Sequence, residues 1–260
     1  MKFIIHAGFH KTGTTSAQMA LRQNAFVDQA VRLVLRDDIL PLTKSAQRYS
    51  RTGREAHLHE FDKQARAVMA EFVGEPRPVL ITAEDLAGWM PGRAGVRSYD
   101  ACPPLMQTFY RAARAQLGDK LDLTFYFSTR DTEGWIKSTY WQHLRSTRIE
   151  TSFDEYRESM GEAADLEGVV RQVRSALPHT RVISQPLEAL RNAPHGPATA
   201  FYDLLELPEA QRGARPDIEN ARIDLGLEPV FLALNRSGLP DDCVHQTKQR
   251  LLRVARRASD

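Results

Sequence analysis

The chain has 260 residues, of which 42% are apolar and 26% charged, with a formal net charge of +2. That length and composition suit one large α/β domain or two small ones, and they argue against a disordered or fibrous protein. The charge is too mild to indicate nucleic acid, and no apolar run approaches the ~18 residues of a membrane span.

The two cysteines, Cys102 and Cys243, lie far apart and outside any metal-ligand spacing, so they read as free thiols in a reducing compartment. The apolar start "KFII" is interrupted at once by His6, which no secretory signal does. A soluble cytoplasmic protein with no integral membrane segment is the expectation.

In chain order, "KFIIHAG" (2–8) predicts a short buried strand and residues 14–27 a helix. "VRLVLR" (31–36) predicts a second strand, and the polar residues 37–54 a loop. Over 55–73, Leu58, Phe61, Ala65, Val68, Met69 and Phe72 recur at helical spacing. "RPVLITAED" (77–85) predicts a central strand, 88–104 a loop, and 104–117 a helix. "LDLTFYFSTR" (121–130), rich in β-formers, is the clearest strand. Helices are predicted over 131–147, 153–160 and 165–177, and a further strand over "TRVISQ" (180–185). The remainder reads as mainly helical, with a loop at "DIENARIDLGLEP" and a terminal amphipathic helix carrying "KQRLLRVARR". Its Leu251, Leu252, Val254 and Ala255 are expected to dock on the core.

Strands alternating with helices predict a parallel sheet covered on both faces, with ligands bound at the carboxyl ends of the strands. Three motifs fall at such ends. The first is "HAGFHKTGTTSAQ" (6–18). A loop that leaves a strand and opens a helix exposes backbone N–H groups at the positive end of the helix dipole, which suits phosphate. Gly8 and Gly13 keep the spacing of a nucleoside-triphosphate loop, G-x-x-x-x-G-K-[ST], but Thr14 stands where its lysine belongs. The lysine, Lys11, sits inside the loop instead.

The second motif is "FYFSTRDTEGWIKSTYW" (125–141), where Arg130 ends a strand and Ser138 follows eight residues later on a helix. An arginine fork and a hydroxyl together suit a phosphate monoester. The third is "VLITAEDLAGW", which ends a strand in Glu84 and Asp85. An acid there suits proton abstraction, and it also suits holding magnesium in a nucleotide kinase.

"HKTGTTSAQ" resembles the 5′-phosphosulfate loop of sulfotransferases that use 3′-phosphoadenosine 5′-phosphosulfate (PAPS), including the lysine position. Arg130 and Ser138 resemble that family's 3′-phosphate signature, although Asp131-Thr132 replaces the usual Asn-Pro. The resemblance implies a three-layer α/β fold like that of P-loop nucleotide kinases, with about five parallel strands. It implies a single domain over 1–260 whose part beyond about residue 186 is mainly helical.

It further implies that Thr12, Gly13, Thr14, Thr15 and Ser16 cradle the 5′-phosphate, and that Arg130 and Ser138 hold the 3′-phosphate. Lys11 would bridge to the leaving oxygen. Glu84 resembles the acid that carbohydrate sulfotransferases use as base, and His10 is a second candidate. PAPS would be the donor, no metal would be needed, and the acceptor would be a hydroxyl or amine on a glycan, lipid or small molecule. A P-loop phosphotransferase using ATP and magnesium, or a non-catalytic nucleotide binder, are the alternatives. Asn220 matches a late asparagine of bacterial relatives.

His57 and His59, at i and i+2, do not share a helix face and make no metal site. His143 is expected at the surface. Trp89, Trp135 and Trp141 are candidates for stacking on a base or sugar, with the core as their other destination. Loops at 37–54, 88–104 and 148–165 are expected to shape the acceptor pocket, and their arginines (Arg48, Arg51, Arg54, Arg93, Arg97) would suit an acidic head group.

Overall fold

The computed structural model describes residues 1–93, 95–118, 121–215 and 226–257. Five strands, β1 (Lys2–His6), β2 (Arg32–Leu35), β3 (Val79–Thr82), β4 (Asp122–Thr129) and β5 (Arg181–Pro186), form one sheet in the order 2-3-1-4-5, and every neighbouring pair is parallel. Between β1 and β5 the chain forms α1 (Thr14–Gln23), α2 (Ala25–Ala30), α3 (Leu40–Thr52), α4 (Glu55–Ala70), α5 (Cys102–Leu117), α6 (Thr132–Ser146), α7 (Phe153–Met160) and α8 (Leu166–Ala176). After β5 come α9 (Leu187–Leu190), α10 (Thr199–Leu204), α11 (Glu228–Arg236) and α12 (Asp241–Arg257). This is the expected α/β fold, with a central parallel sheet of five strands flanked by helices.

Strand side chains alternate between the two faces with a period of two, and each face has its own core. Phe3, Ile5, Val79, Ile81, Phe125 and Phe127 point into the larger core, which Leu42, Phe61, Met69, Phe109 and Val170 complete. Ile4, Leu80 and Tyr126 point the other way, onto Leu21, Val27 and Phe201 of α1, α2 and α10. The same parity carries three polar residues to the second face, directly beyond those apolar ones: His6, Thr82 and Ser128. All three are buried. Because β1 is central, the loop that follows it is flanked by the ends of β3 and β4, which is what brings the three motifs together.

Three local expectations change. The helix expected over 14–27 stops at Gln23, because Asn24 caps the end of α1 and its side chain accepts the Phe26 and Val27 amides to start α2. Residues 37–54 are not a loop: a 3-10 turn at Arg36–Ile39 leads into α3, whose Leu42 and Ala46 are buried and whose Tyr49 packs on the same core. The stretch 88–104 gives way to α5 at Cys102, with prolines in the first turn. Within 148–165, α7 is the helix expected over 153–160, and a 3-10 turn follows at Glu162–Ala164. Asn220 lies outside the described residues.

The terminal helix docks as expected through Leu251 and Leu252, whereas Val254 faces solvent at 60% exposure. Lys248 on the same helix is buried, and its amine donates to the Leu144 and Thr147 carbonyls at 2.7 and 3.0 Å, closing the end of α6. Arg148 adds bonds from Nε to the Asn235 carbonyl and from Nη1 to the Leu239 carbonyl, both at 2.8 Å. Among the described residues no helix is long and apolar enough to cross a membrane.

Candidate anion-binding site

The loop after β1 rests on a chain of hydrogen bonds whose direction can be deduced. Thr12 Oγ1 donates to the Phe9 carbonyl at 2.6 Å, so its only proton is used. Ser128 Oγ, 2.6 Å from Thr12 Oγ1, must then be the donor in that pair. Ser128 accepts in turn from His6 Nε2 at 3.0 Å, which fixes His6 as the Nε2–H tautomer. His6 Nδ1 therefore accepts from Thr82 Oγ1 at 2.7 Å, and Thr82 accepts from Gln18 Nε2 of α1 at 3.2 Å.

Burial pushes the His6 imidazolium pKa down to about 3, so the ring is neutral at ordinary pH. Tyr126 stacks on it at 5.0 Å and Phe201 meets it edge-on at 4.8 Å. Gly8 has to be glycine, since a Cβ there would lie 2.2 Å from His6 Nε2 and 2.6 Å from Ser128 Oγ.

Above this chain the backbone takes two left-handed steps, Lys11 at φ 69° and Gly13 at φ 85°. For glycine that is ordinary; for lysine it costs about 1–2 kcal/mol. Two bonds hold the strained turn in place. Trp135 Nε1 donates to the His10 carbonyl at 2.9 Å, and Arg130 Nη1 donates to the Lys11 carbonyl at 3.1 Å. Gly13 is the N-cap of α1 and no side chain caps the helix, so the first amides of α1 have no cap and the positive end of its dipole meets the loop. Thr12 and Thr14 are buried, Thr15 is exposed, and Ser16 is half-buried.

Cations gather here. Burial, with repulsion from Arg145, Arg130 and Arg93, lowers the Lys11 amine to about 8, and Glu84 opposes them. Glu84, half-buried just beyond β3, accepts from Thr14 Oγ1 and, at 3.5 Å, from Gln18 Nε2. The loop, Lys11, Arg130 and Glu84 thus share one site. Ser138 lies half-buried within α6, on the helix that Arg130 precedes.

His10 is held at both ring nitrogens. Asp85 Oδ1 lies 3.1 Å from Nε2 and, being a carboxylate, only accepts, so Nε2 carries the proton. In the neutral ring Nδ1 then accepts from the Tyr99 hydroxyl at 3.0 Å, and that hydroxyl accepts from the His10 amide at 3.2 Å. Asp85 also pairs with Arg36. Burial pulls its carboxyl pKa up, but bonds from His10, Arg36 and Gln47 outweigh that and hold it well below the usual carboxylate range. Both ring nitrogens of His10 are thus engaged, one by Asp85 and one by Tyr99.

The tryptophans serve packing. Trp135 is fully buried, Trp141 stacks on Phe231 at 5.4 Å, and Arg51 lies 5.3 Å over the Trp89 ring. His143 is not at the surface: it is buried on the core side of α6, with Nδ1 2.9 Å from the Tyr156 hydroxyl. The amphipathic pattern of α6 hid this, since its buried face is itself polar at Thr139 and His143.

Sequence reasoning also missed His6, Ser128, Gln18, Tyr99 and Arg145. The polar ends of otherwise apolar strands were a legible signal for the first two. The chain matches no protein-family model, and no curated protein matches it.

Proposed function

We propose that this chain is a sulfotransferase that moves a sulfuryl group from PAPS to a hydroxyl or amine acceptor, a soluble cytoplasmic enzyme needing no metal. The observation that carries the reading is the position of Lys11. It is kept inside the loop at the cost of a left-handed backbone, while Thr14 occupies the place of a nucleoside-triphosphate lysine. The uncapped start of α1 and the local excess of cations fit a multiply charged anion.

In this reading the amides and hydroxyls of Thr12 to Ser16 hold the 5′-phosphate, and Arg130 with Ser138 holds the 3′-phosphate. Lys11 stabilises charge on the oxygen released as the sulfur–oxygen bond to the donor breaks. Glu84 takes the proton of the acceptor as the new bond to sulfur forms. His10, held by Asp85 and Tyr99, positions the loop.

The contact between Thr14 and Glu84 favours a second reading, an ATP- and magnesium-dependent phosphotransferase, because a hydroxyl and an acid meet there as they do around magnesium. Calorimetry with adenosine 3′,5′-bisphosphate against ATP, with and without magnesium, separates the two. The sulfotransferase reading requires tighter binding of the bisphosphate, independent of magnesium. Tighter ATP binding that depends on magnesium overturns it.

A further inference from the structure

Two acids follow β3 side by side, and the structure holds them differently. Asp85 meets a guanidinium and an imidazole, those of Arg36 and His10. Glu84 meets two neutral donors among the described residues: the Thr14 hydroxyl donates to its Oε1, and Gln18 Nε2 reaches its Oε2 at 3.5 Å. Thr14 is the first residue of α1, which has a glycine N-cap and no acid of its own in the first turn. The negative charge that the start of a helix favours is therefore supplied from beyond another strand.

Glu84 thus stands where an incoming anion has to go. A hydroxyl has one proton, so Thr14 Oγ1 donates either to the Glu84 carboxylate or to a phosphate oxygen, never to both. A phosphate on the loop would also set two like charges side by side, and Glu84 is half-buried, where water screens them less. Lys11 attracts Glu84 electrostatically and would attract the phosphate in its place. Two anions therefore compete for one hydroxyl and one cation. Gln18 does not hold Glu84 back, since its amide sits closer to Thr82 Oγ1, at 3.2 Å, and keeps that partner when the acid leaves.

We propose that Glu84 is a latch on the anion loop: in the free protein its carboxylate occupies the Thr14 hydroxyl, and the 5′-phosphate of the donor displaces it. The inference rests on the sulfotransferase reading and adds regulation to that same site. Displacement frees the carboxylate as the donor arrives, so the base becomes available to an acceptor only on protein that already holds the donor. The order of binding, donor before acceptor, is built into the loop.

The test is calorimetry with adenosine 3′,5′-bisphosphate and with inorganic phosphate, on the natural protein, Glu84→Gln and Glu84→Ala. Both variants are expected to bind both anions about ten- to a hundredfold more tightly, the range of one hydrogen bond to a charged group. Valine keeps the shape of threonine without its hydroxyl, so in a Thr14→Val background the latch has nothing to hold. There the gain from Glu84→Gln should shrink to within about threefold, because the two residues act as one unit. Unchanged or weaker binding in Glu84→Gln and Glu84→Ala overturns the proposal. A gain of the same size in the Thr14→Val background overturns it too, since charge alone then accounts for the effect. If the bisphosphate binds the natural protein no more tightly than ATP does, the sulfotransferase reading falls, and the titrations with inorganic phosphate still decide whether Glu84 is a latch.

Discussion

His6 Nε2 donates to Ser128 Oγ across 3.0 Å, linking the end of β1 to the end of β4 beneath the anion loop. The bond is one step in a relay that runs from Gln18 through Thr82, His6 and Ser128 to Thr12, with every proton pointing the same way. A relay of this kind has no spare donor, so a lost member leaves its neighbours unsatisfied.

His6→Ala is therefore expected to destabilise the fold by about 2–4 kcal/mol, from the cavity and from the stranded hydroxyls of Thr82 and Ser128. Urea unfolding of the two proteins measures this. An effect below about 0.5 kcal/mol, the range of an ordinary surface change, would refute the relay.

His6 also predicts an acid limb. Its folded pKa, about 3, lies below its unfolded value of 6.5, so between those pH values the unfolded chain binds the extra proton. The His6 contribution is fully present above pH 6.5 and falls by up to about 1.4 kcal/mol per pH unit as the pH drops toward 3. In His6→Gln this part of the slope should vanish in a stability-against-pH series.

Lys11 has the opposite consequence for binding. Its amine titrates near 8, and an anion seated on the loop raises that value by stabilising the charged form. Affinity for adenosine 3′,5′-bisphosphate should thus be level below pH 8 and fall as the pH rises above it. Protons should be taken up on binding at pH 8.5, which calorimetry in two buffers of different ionisation enthalpy detects.

Stability and function should separate at the same residue. Lys11→Gly removes the strained φ of 69° and one of the crowded cations, and is expected to stabilise the protein by about 0.5–1 kcal/mol. It should weaken the bisphosphate by tenfold or more through loss of the charge. Thermal melting paired with calorimetry reads both effects.

Arg130→Ala should erase any preference for a 3′-phosphorylated nucleotide over adenosine 5′-phosphate, a change of about ten- to a hundredfold in the affinity ratio. Because Arg130 also holds the Lys11 carbonyl, the 5′-phosphate should weaken too, by a smaller factor. An unchanged ratio removes Arg130 from 3′-phosphate recognition.

The fold was largely legible because β1, β3 and β4 are apolar runs buried on both sides, the simplest pattern a parallel sheet can write. The anion loop was legible because it is local, with Lys11, Gly13 and Thr14 within four residues. What escaped depends on contacts distant in sequence. Helix α3 reads as polar because Lys44, Gln47, Arg48 and Arg51 outnumber the Leu42, Ala46 and Tyr49 face that packs. Trp135 binding the His10 carbonyl and Tyr99 bridging to His10 join residues about a hundred positions apart. No spacing along the chain announces them.

The placement of β1 in mid-sheet bears on synthesis. Of the five strands β1 is made first and needs neighbours on both edges, and the second of these is not complete until Thr129 has been made. Until then "FII" and the glycine turn behind it stay uncovered and sticky. A translating polysome would therefore expose this stretch to chaperones for longer than any other strand, and codon changes that slow elongation before residue 129 should lower soluble yield while leaving the purified protein as stable as before.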